Sequence, residues 1–495
     1  MRLPHLLLAL VLVGGSATAR AAPSAPGADR PASLAATLAA EQRGDLPAAL
    51  AGYHSLITRP QSVHVREYLQ GRIRALTSRI PAVQVPGLAQ KLPAASPVLP
   101  WLALRRAEVL IRAGRERAAR KVLGATRGLD SAYKSRTLAA AGHPRRIGAL
   151  VPLSGRLRGL GQDLLRGMTL AAGLSRRSRG HFATIVARDS TRDPAGAAAA
   201  LARLGVVAAV GVPLSTSARR AAPVSQKVGM PLLVGADGTG VPQVGAAIFR
   251  AVHSPVQRAR ALARYLAATK KVVRVAVVHP ANGYGRRVAK AFADEARRLA
   301  LVVVATVAYK RKDTTLYKRF KPLAAKGTQA VFVADSATRL ELVAPQLGLA
   351  GLQAAPLGKV GRGRAGKVLL VSTAEGLRAR LVKNVGHSVA GAVLAPGFYA
   401  DALDPQLGSF IRAFQKVFNR PPGRYAALGY LAVQRVRSLL VRRAQGRVSL
   451  IKALAAPMGS GKKPLFDKHG ERTDPPRLYR VHTSGIRLIV PGVKP

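Results

Sequence analysis

From residue 33 onward the apolar positions fall into two successive patterns. Between about 33 and 130 they recur at three and four residues, as amphipathic helices do. Two segments there resemble each other, LAAEQRGDLPAALAGYHSLI around Gly44 and AEVLIRAGRERAARKVLGAT around Gly114, each with a glycine at the turn between two helices. The two glycines stand seventy positions apart, about twice the 34-residue period of tetratricopeptide-like repeats. Either such repeats or an unspecialised helical bundle fits this spacing, and Pro81, Pro86, Pro93, Pro97 and Pro100 interrupt it.

From Arg146 short runs rich in Val, Ile and Ala alternate with amphipathic stretches, which predicts a largely parallel sheet covered on both faces. Strands are expected at 147–151, 182–187, 206–210, 231–234, 272–278, 301–307 and 330–333. Helices are expected at 160–174 and 286–299, the second with Val288, Phe292, Ala296 and Leu299 on one face. A stretch this long exceeds one sheet, so two lobes with a cleft at the carboxyl ends of the strands are predicted.

The amino-terminal 32 residues fit neither pattern. Arg2 precedes the run LLLALVLV at 6–13, too short to span a bilayer and suited to the apolar region of a secretory signal. Ala17-Thr18-Ala19 and Ala19-Arg20-Ala21 both offer small-x-small cleavage sites. The expectation is a cleaved signal peptide over 1–21, a flexible leader over 22–32, and a mature protein in the periplasm. With no cysteine in the chain there is no acylation site, hence no lipoprotein, and no disulfide or thiolate metal site.

Charge adds a second constraint. Seventy-nine Lys and Arg against 22 Asp and Glu give a formal net charge of +57, which raises the possibility of a polyanionic partner. The excess is spread, with 18 basic against 7 acidic residues over 22–143 and 59 against 15 over 144–495. A groove-tracking binder concentrates its charge, and aromatics for base stacking make up only 4% of the chain. Nucleic acid is therefore not the expected partner, whereas anionic envelope polymers stay open through clusters such as Lys310-Arg311-Lys312 and Lys318-Arg319.

Catalytic patterns are missing. The run GRGRAGK at 361–367 has the spacing of a phosphate-binding loop, but Val368 stands where Ser or Thr is required and a strand-like VLLVS comes next. No G-x-S-x-G or H-E-x-x-H occurs, and the ten histidines lack ligand spacing. A non-enzymatic protein without metal or cofactor is expected.

Several segments together carry a resemblance. GALVPLSGRLRGLGQDLLRGMTLAAG (148–173), RDSTRDPAGAAAALARL (188–204), AAVGVPLSTSARRAAPVSQKVGMPLLVGAD (208–237), VAVVHPANGYGRRVAKAF (275–292), the segment 396–434 and FDKHGERTDPPRLYRV (466–481) occur in that order. In this they resemble type I periplasmic solute-binding proteins of the leucine/isoleucine/valine-binding family, over nearly all of 146–490. The resemblance implies an α/β fold of two Rossmann-like lobes joined by a hinge, preceded here by the helical module at 33–143. Lobe 1 would comprise 146–256 and 400–456, and lobe 2 would comprise 257–398 and 462–491.

It also implies a cleft. Ser215, Thr216 and Ser217 lie between the third strand and a helix expected to begin near Ala218, and are either helix caps or a seat for a carboxylate or phosphate. In the family the position matching Ser215 binds the ligand carboxylate, assisted by a hydroxyl one strand later, where Gly238 or Thr239 stands nearest. Tyr284 matches the tyrosine that reaches across from the second lobe, or is a packed loop aromatic. Ser154, in the Pro152-Leu153-Ser154-Gly155 turn, belongs to the same wall. Amino-acid-binding relatives hold the ligand ammonium with an acid after a later second-lobe strand. The corresponding stretch is placed at 357–361, where Lys359 stands instead, with Asp237 and Asp335 as substitutes. The expected solute is accordingly a small anion rather than a branched-chain amino acid, delivered to an ABC permease.

Helical repeats joined to a binding domain also resemble the penicillin-binding protein activators, which dock on peptidoglycan synthases. That alternative, and polyanion binding in the envelope, stand beside the receptor reading.

Overall fold

Helix dominates the chain from Ser33 to Ala141, and alternating strand and helix dominate the remainder, in a computed structural model that describes residues 33–174, 182–269, 271–360, 366–442, 444–457 and 463–489. The expected signal peptide and leader (1–32) and most of the GRGRAGK run (361–365) lie outside the described residues.

The helices are α1 (Leu34–Gln42), α2 (Leu46–Ile57), α3 (Val63–Arg79), α4 (Val85–Gln90), α5 (Leu99–Arg112), α6 (Glu116–Ala125) and α7 (Ser131–Ala141). Ser33, Asp45 and Ser62 cap the first three by accepting backbone N–H groups that have no partner inside the helix. Gly44 and Gly114 have φ of 75° and 80°, the left-handed conformation that a tight helix–helix turn needs. Residue contacts divide the chain between Leu99 and Pro100. The helical stretch expected as one module over 33–143 is thus split. In the first unit Leu50, Tyr53, Leu69 and Ile73 form the buried face.

In the second unit α5 to α7 join the α/β region for a polar reason. The fully buried Glu116 accepts the Ser449 N–H at 3.0 Å and the Ser449 hydroxyl at 3.0 Å, while Arg120 donates to the carbonyls of Gly142 and Gln445. Leu104, Ala107, Ile111, Ala119, Leu123 and Ala141 close an apolar core between these helices.

Lobe 1 contains β1 (His143–Val151), α8 (Arg158–Ala172), β2 (Thr184–Asp189), α9 (Pro194–Arg203), β3 (Val206–Gly211), α10 (Ser215–Lys227), β4 (Leu232–Val234) and β5 (Ile248–Arg250). Its sheet is parallel throughout in the order β2-β1-β3-β4-β5. Lobe 2 begins with α11 (Pro255–Ala268), β6 (Arg274–Pro280), α12 (Gly283–Arg298), β7 (Val302–Tyr309), α13 (Tyr317–Ala325), β8 (Ala330–Val333) and α14 (Ala337–Leu349). It continues with β9 (Gln353–Ala354), β10 (Lys367–Ser372), α15 (Arg380–Val385) and β11 (Val393–Leu394). The chain then returns through α16 (Gly408–Phe418), α17 (Arg424–Arg442) and α18 (Arg447–Ala455), and ends in the antiparallel hairpin β12 (Tyr479–His482) and β13 (Gly485–Leu488). The second sheet runs β13-β12-β11-β10-β8-β6-β7, with β9 beside β10.

All seven strands predicted from apolar runs are present, with ends moved by a few residues. The short strands β5, β9 and β11 were not predicted, because two or three residues cannot display a period, whereas β10 contains the strand-like VLLVS. Predicted core residues Val288, Phe292 and Ala296 are buried, and Phe292 stacks on Phe332 with centroids 4.0 Å apart.

One helix crossing matters for the site. Cβ atoms added at Gly167 and Gly429 would lie 1.9 Å from the Ala426 carbonyl and 2.2 Å from the Leu164 carbonyl. Only glycine lets α8 and α17 touch backbone to backbone, and this contact fixes where α17 begins.

Candidate functional site

In each sheet the strand order reverses at one place, and loops leaving the two strands there part to opposite faces and open a crevice. In lobe 1 this place lies between β1 and β3, in lobe 2 between β6 and β8. The loop after β1 carries Ser154, the one after β3 leads to Ser215, the one after β6 to Tyr284 and the one after β8 to Asp335. Four of the sequence-predicted positions therefore stand at the two switch points.

Helix α10 begins at Ser215, three residues earlier than expected, because Leu214 already accepts the Ala218 N–H at 2.9 Å. Ser215, Thr216 and Ser217 occupy the first turn, and Leu214 offers no side-chain cap. Among the described residues, neither the N–H groups nor the hydroxyls of these three have a hydrogen-bond partner within the protein. They form a cluster of donors at the positive end of a helix dipole.

Gly238 ties this turn to the loop after β4. A Cβ there would lie 2.5 Å from Ser215 Oγ and 3.4 Å from an Arg219 guanidinium nitrogen. Arg250, 1% exposed, holds the loop from below by donating to the carbonyls of Ala236 and of Gly238, the latter at 2.7 Å, and by pairing with Glu471 at 2.8 Å. Thr239 comes next, on the exposed side.

Asp237 and Tyr284 meet through two residues that sequence reasoning missed. Arg424, the first residue of α17, donates to both Asp237 oxygens at 3.3 and 3.1 Å, and its other terminal nitrogen lies 3.7 Å from Glu375 Oε2 in lobe 2. Glu375 Oε1 accepts from Arg258 at 2.5 Å and from the Tyr284 hydroxyl at 2.9 Å. A polar chain therefore runs from Asp237 through Arg424 and Glu375 to Tyr284, and crosses from one lobe to the other.

The electrostatics stem from burial. Removal from water pushes the Tyr284 phenol well above its usual value, and the Glu375 charge adds to this, so the phenol stays a donor at any ordinary pH. Burial works against the Arg424 cation, but Asp237 and Glu375 more than offset it and hold the guanidinium charged.

Two strained residues flank the chain. Val212, on the way from β3 to α10, and Ala374, directly before Glu375, both have φ of 42°, a region that disfavours side chains with a Cβ. Such strain persists only where surrounding contacts impose it, and it gathers at binding sites.

Ser154 and Asp335 have other tasks. The Ser154 hydroxyl donates to Asp189 at 2.6 Å. Against the burial that would raise it, hydrogen bonds from the Leu153 N–H, Ser154 and Thr191 hold the Asp189 carboxyl well below the usual carboxylate range. Asp335 accepts from the Tyr309 hydroxyl at 2.5 Å and the Ser336 N–H at 2.6 Å, and its carbonyl receives the Thr373 hydroxyl at 3.2 Å. Both residues shape cleft loops rather than offering free groups.

Lys359 does not stand at the carboxyl end of a strand. Lys359 is exposed in a turn ahead of β10, at the strand's amino end, whereas the cleft lies at the carboxyl ends. The acid there is Glu375, three residues after β10. Its signal in the sequence was a rare carboxylate directly behind VLLVS. Among the described residues no group of three or more His, Asp or Glu could hold a metal ion, and no helix is long and apolar enough to cross a membrane.

Residues 144–459 match the family described as periplasmic binding protein. The fold is shared with a protein of Rhodospirillum rubrum ascribed to a branched-chain amino acid ABC transporter (22% identity, TM-score 0.59, covering 70% of this chain and 99% of that one). It is also shared with a leucine-binding protein of Thermotoga maritima (16%, 0.51, 70% and 97%). A third neighbour is an ABC transporter substrate-binding protein of Desulfitobacterium hafniense in complex with leucine (21%, 0.51, 70% and 99%). No curated protein matches the chain.

Proposed function

The chain belongs to the periplasmic binding protein family, and from that premise we propose that it is an exported, non-enzymatic receptor that captures a small carboxylate between its lobes and delivers it to an ABC permease. The observation that carries this reading is the first turn of α10, which follows a switch-point strand and whose N–H groups and hydroxyls have no acceptor among the described residues. In this reading Ser215, Thr216 and Ser217 receive the carboxylate and Thr239 lines the entrance. Tyr284 closes from the second lobe, with its phenol held as a donor by Glu375. Asp237 sets Arg424, while Ser154 and Asp335 brace the loops. Contacts from both lobes to one solute favour the closed state, which is how such a receptor would signal occupancy.

Thermal-shift measurement on the purified protein tests this, with acetate, propanoate, lactate, 4-methylpentanoate and inorganic phosphate as probes. A carboxylate should raise the melting temperature in a concentration-dependent way. Stabilisation that survives Ser215→Ala and Tyr284→Phe together would defeat the site, and a response to phosphate alone would replace the carboxylate with that anion. Export predicts a mature chain that begins at residue 20 or 22, read by amino-terminal sequencing of protein recovered from the periplasm.

A second reading, docking on a peptidoglycan synthase, draws on the helical unit that ends at Leu99, whose α3 leaves Val63, Val65 and Tyr68 exposed. Pull-down of a synthase should then be lost on deletion of residues 33–99; retention would count against it.

A further inference from the structure

We propose that Arg424 is a built-in cation that fills the place a ligand ammonium would take, so that the cleft selects carboxylates carrying no α-amino group. This rests on the solute-binding reading above and names the substrate class of that site.

Two carboxylates, Asp237 and Glu375, face the polar chain, and two guanidiniums, Arg258 and Arg424, already balance them. An amino acid seated with its carboxylate on α10 would bring a third cation to two acids that are already paired and half-buried. Like charges there are costly, whereas a carboxylate without an amino group meets no such penalty.

Arg424 also stands where a bound cation would. It is held by both oxygens of Asp237 within lobe 1 and reaches Glu375 in lobe 2, so it touches both walls. Its approach to Glu375 is by charge alone. Glu375 Oε2 is buried and accepts no hydrogen bond among the described residues, with an Arg424 guanidinium nitrogen at 3.7 Å. Without Arg424, Asp237 would have no cation and Glu375 only Arg258, which is the environment an ammonium group needs.

Arginine is, moreover, a poor residue for this end of a helix. Arg424 opens α17, where the helix dipole is positive and a cation is disfavoured. Helix stability does not account for arginine at this residue; its carboxylate partners do. The contact between α8 and α17 at Gly167 and Gly429 then fixes the start of the helix over the cleft.

Calorimetric titration of the full mature chain with matched pairs tests the inference: propanoate against alanine and 4-methylpentanoate against leucine. Wild-type protein should bind the carboxylate of a pair more tightly by about tenfold or more. Arg424→Gln should invert the order, and Arg424→Lys, which keeps the cation, should preserve it. If Arg424→Gln does not fold, Arg424→Met with Asp237→Asn removes both charges of the pair and should reduce the preference to about threefold or less. Wild type binding leucine as tightly as 4-methylpentanoate would overturn the inference while leaving the receptor reading intact, and so would an unchanged preference in both charge-removing variants. If no member of any pair binds wild type or variant, the receptor reading itself falls, and this inference with it.

Discussion

Replacing Arg258 with methionine tests whether the Glu375 cluster is a closed electrostatic unit. The Arg258 side chain is 1% exposed and donates to Glu375 at 2.5 Å, to the Ala395 carbonyl at 2.8 Å and to the Thr373 carbonyl at 3.4 Å. Methionine has similar length but no donors. It leaves Glu375, 18% exposed, with the Tyr284 hydroxyl and a distant Arg424 as its only support among the described residues. Breaking a buried pair by removing one partner costs about 3–5 kcal/mol, because the remaining charge is uncompensated. Removing both partners costs much less. Urea unfolding monitored by far-ultraviolet circular dichroism measures this. With a slope of roughly 3 kcal/mol/M, the midpoint should fall by about 1–2 M in Arg258→Met. The double variant Arg258→Met with Glu375→Gln should regain at least half of the loss. A single variant that loses less than about 1 kcal/mol, or a double variant no better than the single, would refute the reasoning.

Other consequences are as direct. Arg250→Met should destabilise by about 3–5 kcal/mol, because Glu471 and the carbonyls of Ala236 and Gly238 lose their buried donor, and it should weaken carboxylate binding by loosening the loop under Ser215; unfolding and titration check the two parts. Glu116→Ala should cost about 1–3 kcal/mol by calorimetry, since the Ser449 N–H would lose its buried acceptor. Ser215→Ala should change stability by no more than about 0.5 kcal/mol while lowering carboxylate affinity severalfold, because its hydroxyl bonds nothing among the described residues. Glu295 is held down to about 2 by the guanidiniums of Arg298 and Arg264, against a desolvation that would raise it. Its folded value lies below the unfolded one, so its contribution is fully present above the unfolded value and is lost as pH falls through the folded one. Melting curves between pH 5 and 2 should show a loss that is smaller in Glu295→Gln by about 1–2 kcal/mol, the figure being discounted for the exposed arginines.

Position along the chain determined most of the architecture. Apolar runs of four or more residues announced seven strands, since strands buried on both faces must be apolar at nearly every position. The length of the alternating stretch was enough to imply two lobes, and glycines at 44 and 114 marked the helix turns. The hydroxyl cluster at 215–217 of the candidate site was also legible, because residues grouped behind a strand are a local signal. The acid in the second lobe was not. Glu375 was missed although VLLVS before it reads as a strand, because the partners that give this carboxylate its place are brought to it only by the fold.

Arg424 was beyond sequence reasoning for a deeper reason. The chain carries 79 basic residues, and nothing in their spacing sets one apart. What distinguishes Arg424 is its place between Asp237, 187 positions earlier, and Glu375 in the other lobe. The sequence alone could specify the sheets, because periodicity is local. Only the tertiary structure decides which charges meet, because a buried ion pair is made by chain segments brought together from afar and depends on the solvent they exclude.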